Sequence, residues 1–237
     1  MSLTILETSV QREPISQNQY RVFFRTQHGD RFSPVRAIDV SVIAFNDEPY
    51  KLAELLAIKY VLLHKTYVGM NRTGKGLQLD VSSGSICKSQ KLQTTNSDMH
   101  LHLHARFLQT RFAEATIKVV RRSDWIKSFN GEVEDISPND CLDPPIKTHI
   151  GDIHLTRHAV ERFCERMSIS SIDKAWRRLS KMLTSSRWIN KRPQRPLREG
   201  KPNRTTETWA LIRDNTPAID IVIVRNPTVS RVVTVIA

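Results

Sequence analysis

One run of this sequence combines residue types that can perform phosphate chemistry. Thr156-Arg157-His158-Ala159-Val160-Glu161-Arg162-Phe163-Cys164-Glu165-Arg166 spaces His158, Arg162 and Arg166 four apart, which on a helix lines them along one face. A histidine titrates near neutral pH and can move a proton, while the planar arginine fork grips two phosphate oxygens at once. Together they suit metal-independent cleavage of RNA, in which the ribose 2′-hydroxyl attacks its neighbouring phosphate and cations steady the developing charge. The same residues also fit a plainer arrangement, a solvated helix whose Glu161 and Glu165 pair with nearby arginines. A second group is His100, His102 and His104, which on a strand would share one face and suit zinc or copper. On a helix only His100 and His104 align.

Charge places the rest of the argument. The 237 residues carry a formal charge of +12. Residues 1–146 hold 18 Lys+Arg against 16 Asp+Glu, and residues 147–237 hold 18 against 8, so a net of +10 sits in the last part. A field of that sign concentrates polyanions, and each neutralised phosphate releases a counterion, so RNA, or else DNA, is the expected partner. An acidic membrane is the rival surface, but no amphipathic helix with a sustained apolar face accompanies the charge. No apolar stretch reaches bilayer length, and MSLTILETSV lacks the basic-then-apolar plan of a signal peptide. Cys87, Cys141 and Cys164 are odd in number and show no C-x-x-C spacing, which suits a reducing compartment. A soluble, cytoplasmic protein is expected.

The elements that must position these groups follow from periodicity. Residues 130–145, NGEVEDISPNDCLDPP, are acidic, lack apolar periodicity and end in two prolines. They predict two domains, 1–130 and 149–237, joined by a linker over 131–148. In the first, residues 3–10, 20–26 and 37–45 read as strands, with a turn at His28-Gly29-Asp30. A helix follows over 49–65, with Asp47 as N-cap and Pro49 in its first turn. Then come a strand over 76–81, a short helix over 83–92, an ambiguous segment over 100–110 and a strand over 115–121. In the second, a strand over 152–155 leads to a helix capped by Thr156. A second helix follows Ser170, which forms an approximate capping box with Asp173. Strands over 206–213, 218–225 and 231–236 end the chain. The fold class is α+β.

Two resemblances sharpen this reading. The run I-H-L-T-R-H-A-V-E-R-F-C-E-R-M from Ile153, with a second helix and a terminal V-V-T-V-I-A, resembles RelE/BrnT-like domains, whose members often carry T-x-H-A-x-x-R-x-x-x-R. The resemblance implies two helices followed by an antiparallel sheet. Many relatives are metal-independent endoribonuclease toxins, so it implies His158 as acid or base, Arg162 and Arg166 as phosphate clamps, and Thr234 or Arg231 lining the site from the last strand. A protein antitoxin or host complex would be the partner. One departure is the insert at 187–204, longer than such domains usually allow, with prolines at 193, 196 and 202. Its cations Arg187, Lys191, Arg192, Arg195, Arg198, Lys201 and Arg204, with Arg157 and a stacking surface on Trp188, read as an RNA-gripping arm.

In the first domain, the βββαβ order, with Glu54 in K-L-A-E-L-L-A and Asp80 in L-Q-L-D, resembles the ribonuclease H fold. In that family carboxylates of the first strand, this helix and the fourth strand hold two Mg²⁺ ions. Glu7 in I-L-E-T-S stands where an aspartate is expected, and Asp124 is a loose match for the last ligand. The substituted first ligand implies a degenerate scaffold in preference to an active one.

Three readings result. The first is a nucleic-acid-binding protein, RNA-directed, with metal-independent endoribonuclease activity of toxin-like type and no cofactor. The second is a non-catalytic accessory or regulatory binder of RNA or DNA, phage- or plasmid-borne. The third is an Mg²⁺-dependent ribonuclease H-like nuclease using Glu7, Glu54 and Asp80.

Overall fold

The computed structural model describes residues 3–42, 48–69, 73–91, 101, 104–121, 123–141, 144–196, 205–213, 216–225 and 230–236. The chain divides into two compact units, Met1–Leu142 and Asp143–Ala237, each with its own apolar core and its own mixed sheet. Among the described residues no helix is long and apolar enough to cross a membrane.

The N-terminal unit opens with β1 (Thr4–Val10), β2 (Gln19–His28), the short β3 (Arg31–Phe32) and β4 (Arg36–Ser41). β1, β2 and β4 form an antiparallel meander, with β3 on the side of β2. Helix α1 (Pro49–Leu63) then crosses to β5 (Leu77–Val81), which runs parallel to β1. After α2 (Gly84–Gln90) and the single turn α3 (Arg106–Gln109), β6 (Thr116–Val119) adds parallel to β5. α1 is apolar nearly all round and buried, because the sheet covers one side and α2 with a 3₁₀ turn at Pro138–Cys141 cover others. Its N-cap is Glu48, which makes no side-chain capping bond, and the expected cap Asp47 lies outside the described residues.

β1 shows strict alternation: Thr4, Leu6, Thr8 and Val10 are buried, while Ile5, Glu7 and Ser9 are half-exposed on the opposite face. β5 is buried on both faces, as a strand flanked by two parallel neighbours should be.

The expected linker over 131–148 is corrected. Val133–Ile136 forms β7, parallel to β4, and extends the first sheet to the order β6-β5-β1-β2-β4-β7. Its acidic residues do not prevent pairing: Tyr60 and Lys65 both reach Glu134, and Gln19 reaches Asp135.

The C-terminal unit begins with the hairpin β8 (Ile146–Thr148) and β9 (Gly151–Leu155), followed by α4 (Arg157–Arg166) and α5 (Ile172–Ser185). β10 (Arg187–Pro196), β11 (Thr205–Arg213), β12 (Thr216–Arg225) and β13 (Ser230–Ile236) complete the sheet in the order β10-β11-β12-β13-β9-β8. β10 to β13 are antiparallel, and β9 lies parallel to β13. Both helices pack on one sheet face, where Phe163, Leu179 and Leu183 meet Leu211, Ile221, Ile223, Val232 and Val235.

Thr156 caps α4 by accepting from the Ala159 N–H, and its hydroxyl donates to the Val232 carbonyl, fixing the helix start to β13. The cap of α5 is Ser171, which accepts from the Lys174 N–H, and not Ser170 as expected.

Candidate functional site

In the N-terminal unit the candidate metal ligands separate onto two faces of one sheet. Glu7 stands in register with Asp80 on β5 and Arg25 on β2, and Asp80 stands in register with Lys118 on β6. Cross-strand partners share a face, so these four charges form a row across the sheet. Arg25 donates to Glu7 and stacks on Phe32 and Trp125, at 4.1 and 5.0 Å from their ring centroids. Gln78 donates to Asp80, yet burial raises the Asp80 carboxyl's pKa above its ordinary value, and Glu7 beside it adds to the rise.

Glu54 sits on the other face, because α1 packs against the Leu6–Thr8–Val10 side of β1. It is fully buried and held by hydroxyls. Thr8 Oγ1 donates to it at 2.8 Å, and the Ser82 N–H and Ser82 hydroxyl each donate at 2.7 Å. Burial raises its pKa, while these donors, with the Ser83 backbone, pull it back down. Glu7, Glu54 and Asp80 are therefore not brought together. Asp124 is exposed on a 3₁₀ turn and paired with Lys127.

This arrangement does not fit a two-Mg²⁺ centre. Such a centre needs several carboxylates converging on solvent-accessible space, and here a single carboxylate has its lone pairs occupied by Thr8 and Ser82. Among the described residues no three metal-ligating side chains cluster. Of the histidine group, His100 and His102 lie outside the described residues, and His104 has helical backbone.

Thr8 and Ser82 were not among the residues singled out by type. The signal that points to Thr8 is the alternation itself: a strand whose Leu6 and Val10 face the helix must turn Thr8, not Glu7, toward Glu54.

In the C-terminal unit the predicted catalytic residues are also divided. His158, Arg162 and Arg166 are exposed on the side of α4 opposite its buried Ala159, Val160 and Phe163. Arg157 pairs with Glu161 at 2.6 Å and Arg162 with Glu165 at 2.8 Å, so the helix takes its ion-paired, solvated form. Thr234 lies in register with Val222, and Arg231 with Val224 and His154. Their neighbours Ile221, Ile223, Val232 and Ile153 point into the core, so Thr234 and Arg231 lie on the sheet face turned away from the helices. The helix layer and the core stand between them and His158, and no common site forms.

The expected RNA-gripping arm is corrected in two respects. Residues 187–196 are an edge strand, β10, in which register shifts at Asn190/Arg192 and Arg192/Arg195 accommodate the prolines. Trp188 is 7% exposed: its indole N–H donates to the Leu183 carbonyl, and its ring meets Trp209 and His149 edge-on, so it offers no stacking surface. Arg187 is exposed, and Lys191 pairs with Asp220 at 2.8 Å on the sheet face away from the helices. Arg198, Lys201 and Arg204 lie outside the described residues, as do the side chains of Arg192 and Arg195.

A buried network joins the sheet strands instead. Glu207 accepts from the Arg225 guanidinium at 2.9 Å and from the Trp209 indole at 2.8 Å, and Arg225 also donates to Ser230 and to the Ile150 carbonyl.

No family model matches the chain, and no curated protein matches it. Among solved structures it is similar to the N-terminal RNase H domain of rv2228c from Mycobacterium tuberculosis, solved as a fusion with maltose binding protein. Identity is 13% and the TM-score 0.35, over 54% of this chain and 88% of that one.

Proposed function

We propose that this chain is a nucleic-acid-binding protein, with RNA its expected ligand, whose C-terminal unit supplies the binding surface and whose N-terminal unit is a ribonuclease H-like scaffold without metal catalysis. The observation that carries the proposal is the charge segregation: residues 147–237 hold 18 Lys+Arg against 8 Asp+Glu. The scaffold reading is supported by the path β4-β2-β1-β5-β6, a meander extended by two parallel strands, with one helix carboxylate at the ends of β1 and β5. The two helices followed by antiparallel strands support a RelE-like arrangement of the C-terminal unit. Binding without cleavage is favoured by the separation of His158 from Thr234 across the core.

The test is fluorescence anisotropy with labelled RNA and DNA over about 50–200 mM salt, with cleavage followed in parallel with and without EDTA. We expect binding that weakens steeply with salt, and uncleaved nucleic acid under both conditions. Salt-independent binding, or none, would sink the proposal. EDTA-resistant cleavage would overturn its non-catalytic part.

A further inference from the structure

The helix that follows the motif helix carries a row of exposed cations. On α5, Lys174, Arg177, Arg178 and Lys181 fall at i, i+3, i+4 and i+7, which places them on one face, and all four are exposed. The buried residues Ala175, Leu179, Met182 and Leu183 occupy the opposite face. The only acidic residue of this helix, Asp173, is buried. On α4, Arg157 pairs with Glu161 and Arg162 with Glu165.

Aromatic placement narrows the ligand. Proteins that hold single strands stack bases on exposed aromatic rings. Among the described residues of the C-terminal unit, Phe163 and Trp188 are buried, and Trp176 and Trp209 are half-buried against the same core. Four cations are exposed on α5, and no Phe or Trp ring of this unit is exposed. A straight row about 10 Å long, from the helical rise of about 1.5 Å per residue, is suited to a regular phosphate backbone.

We propose that the Lys174–Arg177–Arg178–Lys181 stripe of α5 is a docking surface for the phosphate backbone of a nucleic-acid duplex, made without base readout. This rests on the nucleic-acid reading above and names its surface and the ligand's form. Duplex RNA and duplex DNA share that backbone chemistry, and the experiment includes both.

The experiment uses the full chain and four labelled probes of one length: duplex RNA, duplex DNA and a single strand of each, with vesicles of acidic phospholipid as a fifth arm. Wild type is compared with Lys174→Ala/Arg177→Ala/Arg178→Ala/Lys181→Ala, since alanine favours an exposed helix. Arg162→Ala/Arg166→Ala on α4 is the control. Each duplex phosphate contact adds about 0.9 to the slope of log K on log salt, so the quadruple variant should lose about 3.6 in slope and bind at least about a hundredfold more weakly near 0.1 M salt. The control should stay within about threefold of wild type.

If circular dichroism shows the quadruple variant unfolded, Lys174→Glu/Arg178→Glu replaces it, with a loss of similar direction. Unchanged affinity and slope in a folded stripe variant overturn the surface while leaving nucleic-acid binding intact. Single strands bound more tightly than duplexes overturn the ligand's form. Wild type that binds no nucleic acid, or only the vesicles, overturns both this inference and the reading beneath it.

Discussion

Glu54 receives two hydrogen bonds from Ser82, one from its backbone N–H and one from its hydroxyl, each at 2.7 Å, and this joins α1 to the end of β5. With Thr8 donating from β1, one buried carboxylate holds a helix to two parallel strands. Glu54→Ala would remove the acceptor for all three donors and leave a cavity, at a cost of about 3 kcal/mol. Glu54→Gln keeps an acceptor for the Ser82 N–H and can donate to a rotated hydroxyl, so it should fold. Chemical denaturation of the two variants measures the difference.

The same carboxyl predicts a pH dependence. Burial raises its folded-state pKa, so the folded chain holds this proton more tightly than the unfolded chain does. Stability is therefore lost as pH rises from the ordinary carboxylate range through the raised value, and no further loss from this group follows above it. Glu54→Gln cannot titrate. Its stability relative to wild type should rise across that window, and a flat difference in Tm against pH would contradict the assignment.

Thr156 and His158 lie two residues apart but should respond in opposite ways. Thr156 caps α4 and bonds β13, so Thr156→Ala should cost about 1–2 kcal/mol. His158 is exposed on the far side of the helix, so His158→Ala should leave stability and RNA affinity within error. Loss of affinity on His158→Ala would restore the motif face as a functional surface.

Trp188→Ala tests whether this ring stacks on bases or fills the core. A core role predicts a loss of about 3–5 kcal/mol in unfolding free energy. Trp188→Phe keeps the bulk and gives up the bond to the Leu183 carbonyl, so it should recover most of the stability and bind RNA as wild type does. Weaker binding by a stable Trp188→Phe protein would argue for stacking.

Glu207 and Arg225 predict a coupled pair. Glu207→Ala strands a largely buried guanidinium and the Trp209 indole N–H, at a cost of about 3 kcal/mol. In a double-mutant cycle, adding Arg225→Met should return part of that loss, because the uncompensated charge is then gone. Strict additivity would mean that the two side chains do not interact.

Much of the architecture was legible in local chemistry. The β-branched runs, the Pro49 start of α1 and the Thr156 cap depend on interactions within a few residues, so β1, β2, α1, α4 and the last three strands lie close to where periodicity places them. The excess of cations in residues 147–237 is a property of composition and needs no fold. Only packing shows that Asp173 of α5 turns inward and that Lys174, Arg177, Arg178 and Lys181 turn outward.

Tertiary structure alone decided which groups meet. Glu7 and Glu54 are separated because adjacent strand residues face opposite ways and α1 covers the Thr8 side. Trp188 is a core residue because α5 ends just before it and turns it onto the sheet, where its N–H finds the Leu183 carbonyl. Residues 187–196 of the proline-rich insert form an edge strand because an edge tolerates missing donors and bulges that a central strand would not. Residue type and spacing thus determined most of the elements, the Thr156 cap and the excess of cations in residues 147–237. Convergence of side chains from distant segments, on which any site depends, came only from strand register and from the face on which each helix lies.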